Sequence, residues 1–264
     1  MKRSITGASI QREAAIQRRL MAVIERKYER MYRREIRRAI RQIATAQTGR
    51  DRNQFEDIHR SNMSKILRGN WNQSFNDFGA RILTADKKSI WGNIETKDFG
   101  LDPAIQYRLA AEAWVARYGA KKLTEVVGTT LENAKAIVSK AIEDAIAEGL
   151  NEQDTAKLIQ SYIESESTSI SQLRARMIAR TETHGASQAA SFEAAKASGI
   201  DVKKQWAAAV SDRTRPDHLA ANGQERELDE YYDVGGEPMM YPSDPSASAK
   251  NVINCRCINL IIPK

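Results

Sequence analysis

Two cysteines and a histidine stand in the last fifth of the chain, in a pattern that packing alone does not require. Asn254-Cys255-Arg256-Cys257 puts two thiols at alternate positions, and His218 closes the run Ser211-Asp212-Arg213-Thr214-Arg215-Pro216-Asp217. Thiolate sulfur and imidazole nitrogen are the donors that suit zinc. Cys255, Cys257 and His218 are therefore candidate metal ligands, with Asp212, His184 or Asp217 as a fourth, and a structural zinc is the one cofactor this donor set implies. The spacing sets a condition. A regular strand rises about 3.3 Å per residue, so it would turn both thiols to one face but hold them about 7 Å apart. They share an ion only if the chain bends at Arg256. A disulfide between them is disfavoured because a Cys-x-Cys ring is too tight for relaxed geometry, and without a metal the thiols serve as small buried apolar groups.

The same stretch offers a second way of holding itself together. Asp212, Asp217 and Glu182 can accept paired hydrogen bonds from Arg180, Arg213, Arg215 or Arg256, and Asn254 can close a turn through its side chain. Arg180, Glu182, Trp206, Asp212, Arg213, Arg215, His218, Asn254 and Arg256 make up the expected polar network. Catalytic signatures are missing from it: there is no His-Glu-x-x-His helix, no phosphate-cradling glycine loop and no convincing nucleophile and base pair. The chain reads as a non-enzyme. The competing reading is a metal-dependent hydrolase or nuclease using His218, Asp212 and the cysteines, with Glu182 or Glu237 as acid or base.

These residues must be positioned by a small module with little helical periodicity. Lys203-Lys204-Gln205-Trp206 enters as a strand, and Asn254 to Ile262, rich in Ile and Leu, closes as another. Between them lie turn formers, Asn222-Gly223-Gln224, Gly235-Gly236-Glu237-Pro238 and Tyr241-Pro242. Everything upstream reads as helix. Ile16, Leu20, Ile24, Tyr28, Met31, Ile36, Ile40 and Ile43 recur at steps of three or four and predict one long amphipathic helix over about 9–46. At about 1.5 Å per residue it reaches on the order of 55 Å, more than a small domain needs. A second helix over about 53–84 carries Phe55, Ile58, Ile66, Leu67, Trp71, Phe75 and Phe78, with His59 on its surface or at an interface. A connection over 85–101 follows. Asp102-Pro103 opens a helix that breaks at Gly119. Thr129 or Thr130 caps the next, through Ala147, and Asn151 caps another. The Ser-rich 164–169 reads as a loop before a helix over about 170–197. The expected fold class is α+β, mostly α, in three regions: a basic helical region (1–100), a helical bundle (101–199) and a C-terminal β-and-loop module (200–264).

Charge separates the first region from the rest. Residues 1–50 hold 14 of the 41 Lys and Arg but only 4 of the 34 Asp and Glu, so the net charge of +7 arises entirely there. Arg18, Arg19, Arg26, Arg30, Arg33, Arg34, Arg37, Arg38 and Arg41 line the polar face of the first helix. Guanidinium groups in such a row suit phosphates of nucleic acid or an acidic protein surface. With only Tyr28 and Tyr32 among them, no base-stacking platform is indicated, so contact with double-stranded DNA would be nonspecific. No run approaches the roughly 18 apolar residues that span a bilayer, and the basic start lacks an apolar signal core. A protein made and kept in the cytosol is the expectation.

Taken in order, Arg176 with Ile178-Ala179-Arg180-Thr181-Glu182, Trp206, Asp212-Arg213-Thr214-Arg215-x-x-His218, Gly223-Gln224, Tyr241-Pro242 and Asn254-Cys255-Arg256-Cys257 resemble the phage Mu F-like minor head proteins, or phage head morphogenesis proteins, over roughly 100–260. The resemblance implies a minor structural protein of a tailed bacteriophage virion, inside the capsid at the portal vertex, acting in head assembly or DNA delivery. It implies the portal protein as partner, with the major capsid or scaffolding protein as further candidates, and a head-morphogenesis domain in which 170–199 pack with the C-terminal module. A protein ejected with the DNA is the variant of that reading. The family's Asp, His and Cys-Arg-Cys positions fall on Asp212, His218, Cys255 and Cys257.

Overall fold

The computed structural model describes residues 7–46, 49–83 and 102–264. Four long helices lead: α1 (Gly7–Ala44), α2 (Gly49–Leu83), α3 (Pro103–Ala147) and α4 (Glu152–Ala197). Seven short elements follow: β1 (Val202–Ala207), α5 (Pro216–Ala220), β2 (Glu225–Glu227), β3 (Tyr232–Val234), β4 (Glu237–Met239), α6 (Ala249–Val252) and β5 (Ile258–Pro263). The fold is α+β and mostly α, as the periodicity predicts. The connection expected over 85–101 lies outside the described residues.

Two expected interruptions do not occur. α3 runs straight through Gly119 and Gly128, and Thr129 and Thr130 do not cap a new helix. Their hydroxyls donate instead to the carbonyls of Glu125 and Val126, four residues back, at 2.8 and 3.0 Å. A Ser or Thr that bonds within the preceding turn no longer competes with the helix. The same device carries α4 through its Ser-rich stretch. Ser165, Thr168 and Ser169 donate to the carbonyls of Ser161, Glu164 and Ser165, while Ser167 and Ser171 are buried. The true boundary between α3 and α4 is where the sequence places it. Gly149 takes a φ of 65°, and Asn151 Oδ1 accepts the Asp154 amide at 2.9 Å as an N-cap.

The compact units are not consecutive stretches of chain. Of the described residues, one gathers 7–25, 70–83, 102–118 and 180–264; the other gathers 26–46, 49–69 and 119–179. Each long helix therefore gives residues to both. In the second unit the inner face of α1 (Tyr28, Tyr32, Ile36, Ile40, Ile43) is buried together with Met63 and Leu67 of α2. Ala134, Ile137, Ala141, Ile163 and Ile178 are also buried there. Gly69 faces Tyr28, whose hydroxyl lies 3.2 Å from where a Cβ would stand. Met31, expected on the apolar face, is 41% exposed. His59, expected at a surface or interface, is wholly buried, and its Nδ1 sits 2.9 Å from Glu35 Oε1. Helix packing, not a ligand, accounts for it.

In the first unit Trp71 and Phe75 of α2 meet Trp114 of α3 edge to face, with ring centres 5.7 and 5.5 Å apart. The small module belongs here. Its three-stranded antiparallel sheet has the order β2-β1-β5, with Trp206 opposite Asn259 and Lys203 opposite Glu227. β3 and β4 form a hairpin whose two linking residues, Gly235 and Gly236, both have positive φ, the requirement of the tight turn that matches strand twist. Trp206, Ala208, Ala221, Tyr232, Val234, Met239, Cys255 and Cys257 form the module's core.

Candidate functional site

The cysteines and the histidine meet in that core. Pro216 starts α5, a single turn that carries His218 inward. Before β5 the chain is irregular, and Asn254 turns it with a φ of 58°. Residues 255–257 lie outside β5, and over this irregular stretch the two sulfurs stand within 4.8 Å of each other, closer than a regular strand would hold them. His218 Nδ1 lies 3.4 Å from Cys257 Sγ and 3.6 Å from Cys255 Sγ. The three donor atoms fall within 4.8 Å of one another, and each residue is 2% exposed.

A chain of amides fixes the imidazole. Asn251 of α6 donates through Nδ2 to Glu237 Oε2 at 3.0 Å and to the Val234 carbonyl at 3.3 Å. Its Oδ1 is thereby oriented as the acceptor for His218 Nε2–H at 3.3 Å. With the proton on Nε2, the Nδ1 lone pair faces both sulfurs. Hydrogen bonds from Ser248 and Asn251 hold the Glu237 carboxyl below the usual carboxylate range. The edge of Trp206 closes another side, its ring centre 5.6 Å from that of His218.

The two thiols titrate as a pair. Burial opposes the charge on both. Cys255 nevertheless falls well below the ordinary thiol value, because Cys257 and His184 can bond to its thiolate, as can His218 whenever its Nδ1 also carries a proton. Cys257 is pushed up, first by its bond to Cys255 and then by burial, since a second thiolate would form beside the first.

Several expected neighbours lie close by. His184 of α4 sets its Nε2 2.7 Å from the Cys257 carbonyl and its Nδ1 3.1 Å from Met21 Sδ. Arg18 donates to the Ala208 carbonyl at 3.3 Å, and burial lowers its pKa against the pull of Cys257. Asn254 is held twice: its amide donates to Thr181 Oγ1 at 3.2 Å, and its Oδ1 accepts from Arg180 at 3.3 Å. Arg215 reaches the Ile253 carbonyl at 2.5 Å.

Other expectations are corrected. Asp212, Arg213 and Arg256 are exposed, and none of the ion pairs among the described residues includes them. Asp212 sits in the turn that Thr214 N–H closes onto the Ser211 carbonyl, and it is not among the three grouped donors. Asp217 pairs with Lys250 at 2.9 Å. Glu182 accepts from the indole of Trp71 at 3.0 Å, an apolar-core partner that charge matching could not anticipate. Asn251 escaped the sequence reading altogether, because nothing distinguishes an asparagine four residues before a cysteine until α6 turns it toward His218.

On the basic face of α1, Arg19, Arg26, Arg30, Arg34 and Arg41 are exposed, while Arg18, Arg33, Arg37 and Arg38 are half-buried. Arg38 is committed to Glu35 at 2.6 and 3.0 Å. Arg30, Arg33, Arg34 and Arg37 line an open cavity of about 270 Å³. Among the described residues no helix is long and apolar enough to cross a membrane.

Comparison with known proteins bears on the half of the chain that holds the triad. An uncharacterised protein of Bacillus subtilis, YqbB, is 27% identical over 165 residues, covering 60% of this chain and 51% of that protein. The NAD(+)–arginine ADP-ribosyltransferase EFV of Enterococcus faecalis is 31% identical over 126 residues, 47% of this chain and 26% of that one. The chain thus spans about half the length of the first relative and a quarter of the second. No solved structure matches it. Residues 136–260 match the family described as Phage Mu protein F like protein, and they take in α4, the triad and all the strands but the end of β5. That segment is similar to the phage Mu F-like family, as the motif series from Arg176 to Cys257 leads one to expect.

Proposed function

We propose that this chain is a minor structural head protein of a tailed bacteriophage, placed inside the capsid at the portal vertex and acting in head morphogenesis and in the packaging or delivery of DNA. The observation that carries the reading is the Mu F-like match over residues 136–260. The portal protein is the partner this reading names first, with the major capsid or scaffolding protein next. Ejection of the protein together with the DNA is a refinement of the same role.

The part assigned to α1 rests on its charge. Four arginines around one open cavity, with exposed guanidinium groups at Arg19, Arg26 and Arg41 on the same helix, suit phosphate oxygens or an acidic virion protein. Neither requires sequence readout. The hydrolase reading fits less well, because all three donors of the triad are buried, which suits a fixed core element better than a substrate site.

The test uses the full chain. Binding to mixed-sequence duplex DNA is measured across salt concentrations, beside a variant with Arg30, Arg33, Arg34 and Arg37 changed to Gln. Each phosphate neutralised contributes about −0.9 to the slope of log K against log salt. The variant is expected to flatten that slope by about two to four. An unchanged slope removes DNA from the proposal for this face. Failure of the chain to co-purify with the portal protein expressed from the same phage genome counts against the placement at the portal.

A further inference from the structure

We infer that His218, Cys255 and Cys257 hold a zinc ion that staples the C-terminal module. The inference stands on four observations, and it does not depend on the head-protein reading.

The first is convergence. Three soft or borderline donors from two separate segments meet within 4.8 Å in a site that excludes water. Two thiolates and an imidazole are the ligand set of zinc, and hard cations such as magnesium or calcium avoid it.

The second is the outer shell. Ligating histidines commonly use the far ring nitrogen to donate to a fixed acceptor, which sets the tautomer and aims the near lone pair at the ion. Here Glu237 fixes Asn251, and Asn251 fixes His218 Nε2, so Nδ1 is left facing both sulfurs. His184 acts as a positioning residue, holding the Cys257 carbonyl at 2.7 Å.

The third is an excess of donors around the sulfurs. The buried Trp206 Nε1–H bonds to the Cys257 sulfur and has no other acceptor. Arg18 Nε is buried without an acceptor, and its guanidinium lies within electrostatic reach of Cys257. Neutral thiols would add yet more donors to this group. Sulfurs that ligate an ion carry no S–H and accept from these donors.

The fourth is need. Eight residues make up the cluster around the triad, two of them the cysteines themselves, and the module's longest strands are six residues. The long turn-rich segment between β1 and β5 is what a staple would hold down. A zinc bound by His218 and both thiols ties α5 to the bend at Asn254 and so closes the segment between β1 and β5. Binding releases the protons still held by the thiols.

The test is elemental analysis of the full-length protein purified without chelator, followed by replacement of the metal with cobalt. About one zinc per chain is expected, and the cobalt form should absorb strongly in the near ultraviolet through thiolate-to-metal charge transfer. Cys255→Ser and Cys257→Ser should each diminish that band and lower the metal content. Should those variants fail to fold, Asn251→Leu keeps every ligand and is expected to weaken zinc affinity by about 10- to 100-fold in competition with a chromogenic chelator. A chain that takes up no metal even when refolded in excess zinc overturns the inference. So does a cobalt complex without the charge-transfer band, or zinc affinity unmoved by Asn251→Leu.

Discussion

Glu35 Oε1 receives His59 Nδ1 at 2.9 Å inside the second unit, while Arg38 and Asn62 bond to the same carboxylate at 2.6 and 3.2 Å. Burial works against the Glu35 charge, yet the bonds from His59 and Arg38 hold its pKa below the ordinary value. A depressed carboxylate stabilises the fold above its unfolded pKa of about 4.3 and loses that contribution as pH falls through the lower folded value. Glu35→Gln is expected to cost about 1.5–3 kcal/mol at pH 7. The gap to wild type should narrow below about pH 4 in urea titrations. A gap that stays constant down to pH 2 refutes the assignment.

Lys204 points inward from β1 and is fully buried. Its Nζ donates to the Met240 carbonyl at 2.8 Å and stands 5.1 and 5.0 Å from the ring centres of Phe192 and Tyr232. Burial, only partly countered by Asp244, brings its pKa down to about 8. Between that value and the ordinary one near 10.4, the unfolded chain keeps a proton that the folded one has lost. This residue therefore makes stability rise with pH across that window. Lys204→Met should flatten the rise without lowering stability at pH 7 by more than the lost bond to Met240, about 1 kcal/mol. Denaturation midpoints at half-unit pH steps from 7 to 10.5 decide the matter.

Gly79 of α2 leaves room for a ring. A Cβ there would lie 2.0 Å from Tyr107 Oη and 2.1 Å from Cζ. That ring is fixed by a 2.5 Å bond to the Phe75 carbonyl and by contact with the Phe75 ring. Gly79→Ala is expected to cost about 1–3 kcal/mol through overpacking, despite the better helix propensity of alanine. In a Tyr107→Leu background the same change should cost less. Thermal melts of the four proteins complete the cycle, and equal penalties in both backgrounds would show that Tyr107 is not the obstacle.

Local pattern carried most of the fold. The Ile-rich end of the chain and Lys203–Trp206 do form the paired strands β5 and β1, and Gly149, Asn151 and Gly199 end or start helices as their chemistry dictates. Where the reading failed, the deciding interaction lay outside its window. Gly119 and the Ser-rich 164–169 look like breaks in isolation, but packing on Val127, Ala134, Ser167 and Ser171 keeps those helices going. The site was half legible. Cys255, Cys257 and His218 drew notice by residue type, whereas the roles of Asn251 and Glu237 arise from two short elements that meet only in three dimensions. Asp212 misled because an acidic residue near a histidine looks like a ligand, and the turn that carries it faces solvent.

The compact unit that contains the triad combines residues 7–25 with the last 85. His184 touches Met21 across 163 positions, and Arg18 reaches Ala208 across 190. At about 5–20 residues per second, a ribosome separates the appearance of such partners by roughly ten to forty seconds. During that interval Met21 and Arg18 wait for their partners in the last third of the chain, although Glu13 can already meet Arg81 of α2. Completion of this unit is thus an event of late synthesis, and the Arg18 side chain is free to meet chaperones or polyanions before its C-terminal partner exists.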